Sequence, residues 1–61
     1  MLKKLAILRK KRNLTQRALA ELTGLSYVHI ARMETGDYDP RLSTLKALAK
    51  ALKVKIEDLV K

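Results

Sequence analysis

The sequence predicts an all-α domain, a compact bundle of five short helices. Three observations predict it. Apolar residues recur every three or four positions, the spacing of a buried helical stripe. Phe and Trp are absent and aromatics make up only 3% of the chain, so residues that favour strands are scarce. Asn13, Gly24, Gly36 and Pro40 punctuate the pattern, and these residue types end or redirect helices.

Each element has its own signals. The first helix is expected from Leu2 to Arg12, with Leu5, Leu8 and Arg12 sharing a face, Arg9 beside them and Ile7 pointing away. Asn13 ends it, because Asn tolerates a left-handed backbone. Thr15 caps a second helix from Gln16 to Thr23, with Leu19 and Ala20 inward. Gly24 takes the left-handed conformation of a sharp turn, and Leu25 plugs the core beyond it. Ser26 caps a third helix from Tyr27 to Thr35, which buries Ile30 and Met33 and stops at Gly36. A loop follows, and Pro40 fixes its exit. The fourth helix, Leu42 to Leu52, places Leu42, Leu45, Leu48, Ala49 and Leu52 on one stripe. The fifth runs from Ile56 to Val60. Lys55 is a poor cap for it, but Glu57 and Asp58 suit the positive end of its dipole. None of these helices is long enough to persist alone in water, so they fold together.

Size and composition narrow the function. The 61 residues form one domain, residues 1–61. A chain of this size buries about 60% of its unfolded surface and has a small core. Cysteine is absent and His29 is the single histidine, too few ligands for a zinc site, and no cofactor is expected. The apolar run Leu5–Leu8 is far too short for a signal peptide or a membrane span. The expectation is a cytoplasmic chain with no membrane role. No nucleophile–base set, phosphate-binding glycine loop or paired carboxylate is legible, so an enzyme is not expected.

The net charge is +8 and unevenly spread. Lys3, Lys4, Arg9, Lys10, Lys11, Arg12 and Arg17 crowd the first 17 residues with no acid among them. Residues 18–40 set Arg32 against Glu21, Glu34, Asp37 and Asp39, and residues 41–61 are basic again. Such a balance suits a polyanion partner, and it also suits a soluble lysine-rich surface.

The segment from Leu14 to Pro40 has the layout of a helix-turn-helix unit, two helices joined steeply by a tight turn. Its physical demands are met position by position. Ala20 is small where the helices cross, and Gly24 makes the turn. Leu19, Leu25, Ile30 and Met33 fill the wedge, with Thr23 as a semi-polar filler. The starts at Thr15–Gln16 and Ser26–Tyr27 present free backbone N–H groups suited to phosphate.

With these residues in place, the chain resembles the phage repressor and Cro family of regulators. The resemblance rests on Leu8-Arg9, Leu14-Thr15-Gln16, Leu19-Ala20, Gly24-Leu25-Ser26, Ile30, Glu34, Gly36, Pro40, Leu45, Ala49, Leu52 and Val54. It implies a five-helix domain of the lambda repressor type that binds double-stranded operator DNA, usually as a dimer. Carried over by position, Gln16 resembles the glutamine that touches phosphate and braces the recognition helix, and it is also expected to face the groove among the base-reading residues. Tyr27, Val28 and Arg32 fall on the base-reading face. Arg9 and Glu34 fall on an ion pair tying the first helix to the third, and Tyr38 and Arg41 fall on phosphate contacts. Lys10 and Arg17 stand around the same face on neighbouring elements, and Thr15 and Ser26 cap the helices that meet phosphate. The chain departs from the family in two places. Acids occupy the loop Asp37-Tyr38-Asp39 where many relatives carry Lys or Arg. Tyr27 and Val28 replace polar side chains; Val28 can touch a thymine methyl but cannot hydrogen-bond a base.

Several residues carry two readings. Arg32 is placed either to grip guanine O6 and N7 or to stand in solvent. Tyr27 contacts DNA or lies on Gln16 as a surface aromatic. His29 is a simple exposed residue or a phosphate partner when charged. Lys46, Lys50 and Lys53 form a basic stripe that reads best as a solvated face. Ile56, Leu59 and Val60 are expected at a homodimer interface, because so short a helix cannot bury all three. The alternative function is a protein-interaction module of the same fold, an antitoxin-like subunit using Ile7, Leu22 and the C-terminal apolar residues.

Overall fold

A computed structural model describes residues 2, 4–36 and 38–60 of the chain. Lys3, Asp37 and Lys61, which entered the charge reading, lie outside the described residues. Among the described residues five helices follow in order: α1 (Leu5–Lys11), α2 (Gln16–Thr23), α3 (Tyr27–Thr35), α4 (Leu42–Leu52) and α5 (Ile56–Val60). Among the described residues there is no strand. No helix among them is long and apolar enough to cross a membrane.

The core is aliphatic. Leu2, Leu5, Leu19, Ala20, Ile30, Met33, Leu48, Ala49, Leu52 and Leu59 are buried. Leu8, Leu14, Leu25, Leu45, Val54 and Ile56 pack around them half-buried. α3 packs on α2 and α1, while α4 packs on α2 and α5. The α2–α3 pair thus sits against the core with one face of α3 left open.

Three chain reversals share one mechanism. Asn13 (φ 57°), Gly24 (φ 74°) and Lys53 (φ 56°) are left-handed. In each case the next N–H reaches five residues back: Leu14 to the Arg9 carbonyl at 3.2 Å, Leu25 to Ala20 at 3.1 Å, Val54 to Ala49 at 3.0 Å. This closure satisfies a terminal carbonyl and turns an apolar residue back onto the core. The helix starts are equally local. Thr15 Oγ1 accepts from the Ala18 N–H at 3.0 Å, and Ser26 Oγ accepts from the Val28 N–H at 3.1 Å. At α5 the Lys55 N–H donates to Asp58 Oδ2 at 3.0 Å. That is one half of a capping box, with lysine where Ser or Thr would supply the other half.

Four expectations are corrected. α1 begins at Leu5 rather than Leu2, because the Leu5 N–H closes a tight turn three residues back onto the Leu2 carbonyl at 3.1 Å, ahead of the helical bond from the Leu8 N–H to the Lys4 carbonyl at 2.9 Å; Leu2 still reaches the core. Arg12 lies past the end of α1 and is exposed. Its Nε donates to the Leu52 carbonyl at 3.0 Å, tying α1 to the end of α4. Leu42, expected on the α4 stripe, is 60% exposed; it stands at the stripe's rim in the first turn, and burial starts at Leu45. Leu59 is fully buried in the chain's own core, because Ile56 and Leu59, three apart, form the inner face of α5. It is therefore not a surface residue.

Candidate nucleic-acid interface

The site is assembled by the tight turn at Gly24. The Thr23 hydroxyl donates back to the Leu19 carbonyl at 2.8 Å, and its oxygen accepts from the Leu25 N–H at 3.3 Å. These bonds hold the exit of α2 so that α3 starts at once, with Leu25 seated on the core. Ile30 and Met33 anchor one side of α3. The opposite side presents Tyr27, Val28 and Arg32, with Tyr27 at 45% and Val28 at 50% exposure.

A polar brace fixes the orientation of α3. Arg9 Nε donates to Glu34 Oε2 at 2.6 Å, and its Nη2 donates to Oε1 at 3.2 Å. Arg9 Nη1 donates to the Leu14 carbonyl at 2.7 Å, and Gln16 Nε2 donates to Glu34 Oε1 at 3.0 Å. The two charged side chains keep only 10% and 9% of their surface exposed. One carboxylate thus joins α1, the start of α2 and the end of α3. Bidentate, charge-assisted bonds of this kind fix geometry as well as adding energy. Gln16, expected at the bases, has one amide hydrogen engaged in this brace.

Of the cations expected around α3, Arg17 is the one in contact with it. Lys10, Arg17 and Arg41 are all exposed. The Arg17 guanidinium lies 5.1 Å from the centre of the Tyr27 ring, a cation–π distance. Tyr27 therefore lies against Arg17. Thr15 and Ser26 are exposed, their hydroxyl oxygens capping α2 and α3. Neither helix has an acid in its first turn, so their N-terminal N–H groups keep their positive field for an outside anion. Arg41 is the N-cap residue of α4 and makes no side-chain cap bond.

Tyr38 is half-buried and packs on the core. Its ring stacks on His29 with centroids 5.1 Å apart and planes 23° apart. This joins the loop after α3 to α3 itself, a contact that no local sequence pattern announces. Two further residues escaped the sequence reading. Ala31 and Thr35 line, with Tyr27, Val28 and Arg32, one shallow hollow of about 270 Å³ on the open side of α3. Their spacing from Val28 is the signal that identifies them. Of the residues expected at a dimer surface, Val60 is 50% exposed, Ile56 half-buried and Leu59 buried.

Comparison with known proteins agrees with this architecture. A family model described as helix-turn-helix matches residues 5–59. The chain is 45% identical over 53 residues to the immunity repressor protein of Bacillus phage phi105, covering 87% of this chain and 37% of the phage protein. The chain thus corresponds to just over a third of that relative's length. It is 44% identical over 59 residues to an uncharacterised helix-turn-helix-type transcriptional regulator of Methanocaldococcus jannaschii, covering 97% of this chain and 89% of that protein. Its fold matches the restriction-modification controller protein C.AhdI from Aeromonas hydrophila with a TM-score of 0.89 and 32% identity, over 93% of this chain and 86% of that one.

Proposed function

Because the chain belongs to the Cro and phage-repressor type of helix-turn-helix family, a family of DNA-binding transcription regulators, we propose that it is a sequence-specific regulator, a repressor acting in the cytoplasm on an inverted-repeat operator. The observation that carries this reading is the open face of α3. Tyr27, Val28 and Arg32 project from a helix whose other side is locked by Ile30, Met33 and the Arg9–Glu34–Gln16 brace. A recognition helix has to meet this demand: its reading side chains are free and its axis is fixed.

Arg32 then reads a guanine edge, and Val28 and Tyr27 meet neighbouring bases, with Gln16 at the edge of the same face. Lys10, Arg17, Arg41, Tyr38 and the capped starts at Thr15 and Ser26 meet phosphates. These contacts set affinity and register without sequence information. Two copies bind together, using Val60 and the exposed part of Ile56, with their recognition helices about 34 Å apart. The reading is tested by titrating duplex DNA with the chain over a salt series. Binding that weakens steeply as salt rises is expected, since each neutralised phosphate releases counterions. Absence of binding, or a flat salt response, would overturn it. A second reading, a protein-interaction module of this fold, draws on Ile7 and Leu22, 55% and 62% exposed, and a flat response would favour it.

A further inference from the structure

We propose that the open face of α3 reads a C5-methyl group in the major groove, with Val28 and Ala31 as the methyl seat and Arg32 holding a guanine of the same half-site. This rests on the reading of α3 as the groove helix, and goes beyond it by naming the group that is read.

Val28, Ala31, Arg32 and Thr35 follow one another at helical spacing and line a single shallow hollow with Tyr27. Two of its members already have partners. The Thr35 hydroxyl donates to the Arg32 carbonyl at 3.0 Å and so is turned onto its own helix. The Tyr27 ring lies against the Arg17 guanidinium. Val28 and Ala31 then give the hollow its aliphatic lining, and the exposed Arg32 shares the same lining.

The major-groove edges of the base pairs carry donors and acceptors, and the one methyl among the four bases is that on C5 of thymine. An apolar floor laid on a cytosine amine or a guanine oxygen would remove water and return no hydrogen bond, which disfavours those edges. Laid on a thymine methyl it buries apolar surface on both sides. Arg32 lies one helical turn beyond Val28, about 6 Å along the axis, and base pairs succeed each other about every 3.4 Å. The guanine it grips is therefore on a nearby base pair of the same half-site. Val28 and Ala31 carry no group that distinguishes thymine from another base with the same methyl. 5-Methylcytosine would occupy the same seat.

The test uses the chain and the duplex it selects from a random pool. Each thymine of the selected half-site is replaced in turn by uracil, which removes the methyl alone. One position per half-site should weaken binding about fourfold, the worth of one buried methyl. At that position cytosine should bind more weakly still, and 5-methylcytosine should regain about the same fourfold over cytosine. Val28→Ser, at a half-exposed position, should keep the melting temperature and abolish both methyl effects. A half-site without thymine, a uracil scan that is flat throughout, or methyl effects that survive in Val28→Ser would overturn the proposal. If a selected site exists and only the uracil scan is flat, the groove reading stands and the methyl seat alone falls. If no duplex is bound at any salt concentration, both fall.

Discussion

Arg9 holds Glu34 with two nitrogens, Nε at 2.6 Å from one carboxylate oxygen and Nη2 at 3.2 Å from the other. The pair joins residues 25 apart in sequence and is almost closed to solvent. Removing one member of so buried a pair leaves the other charge unpaired, at a cost of roughly 3–5 kcal/mol. Glu34→Ala should therefore lower stability by about that much, whereas Glu21→Ala, at an exposed site, should change it by less than about 0.5 kcal/mol. Equal denaturant midpoints for the two variants would contradict the role assigned to the brace.

The turn at Gly24 depends on backbone conformation rather than on space. A β-carbon built there meets nothing within 4 Å, yet φ is +74°. Gly24→Ala should destabilise by about 1–2 kcal/mol through backbone strain. Gly24→Asn should cost less, because Asn tolerates the left-handed region. If both variants melted with the wild type, strain at the turn would be negligible.

Lys53 makes the opposite case. It closes α4 with φ 56° although it is not glycine, and it is exposed. Lys53→Gly should raise stability by about 0.5–1 kcal/mol, measured by urea unfolding. A loss of stability would mean that the lysine side chain stabilises the helix end in another way.

These reversals also show what the sequence conveys. Thr15, Ser26, Gly24, Gly36 and Asn13 act within a few residues of themselves, so the boundaries of α2 and α3 are legible from local chemistry. The inward positions of Leu19, Ile30, Met33, Leu48 and Leu52 follow from helical spacing. Lys53 hides its turn, because lysine carries no left-handed preference; the trace it leaves is the apolar Val54 next in line. The start of α1 and the exposure of Leu42 are end effects that a periodic stripe does not mark, and the burial of Leu59 needs α4 to pack against the inner face of α5. At the interface, the exposed face of α3 is visible in the pattern. The Arg17–Tyr27 and His29–Tyr38 contacts are not, since each depends on two segments meeting in space.

Cations around α3 should act without regard to sequence. Arg41→Ala should weaken binding to every duplex alike and reduce the slope of log affinity against log salt by about one. A variant that lost preference for one sequence and kept the wild-type slope would place Arg41 at a base instead of a phosphate.

The direct test of α3 as the reading helix is a pair of titrations comparing Arg32→Ala with the wild type on the selected duplex and on a scrambled one. The reading predicts a loss of roughly 1–3 kcal/mol on the selected duplex, little change on the scrambled one, and relaxed preference at a single base pair. Equal weakening on both duplexes, with preference intact, would contradict it and remove α3 from the major groove.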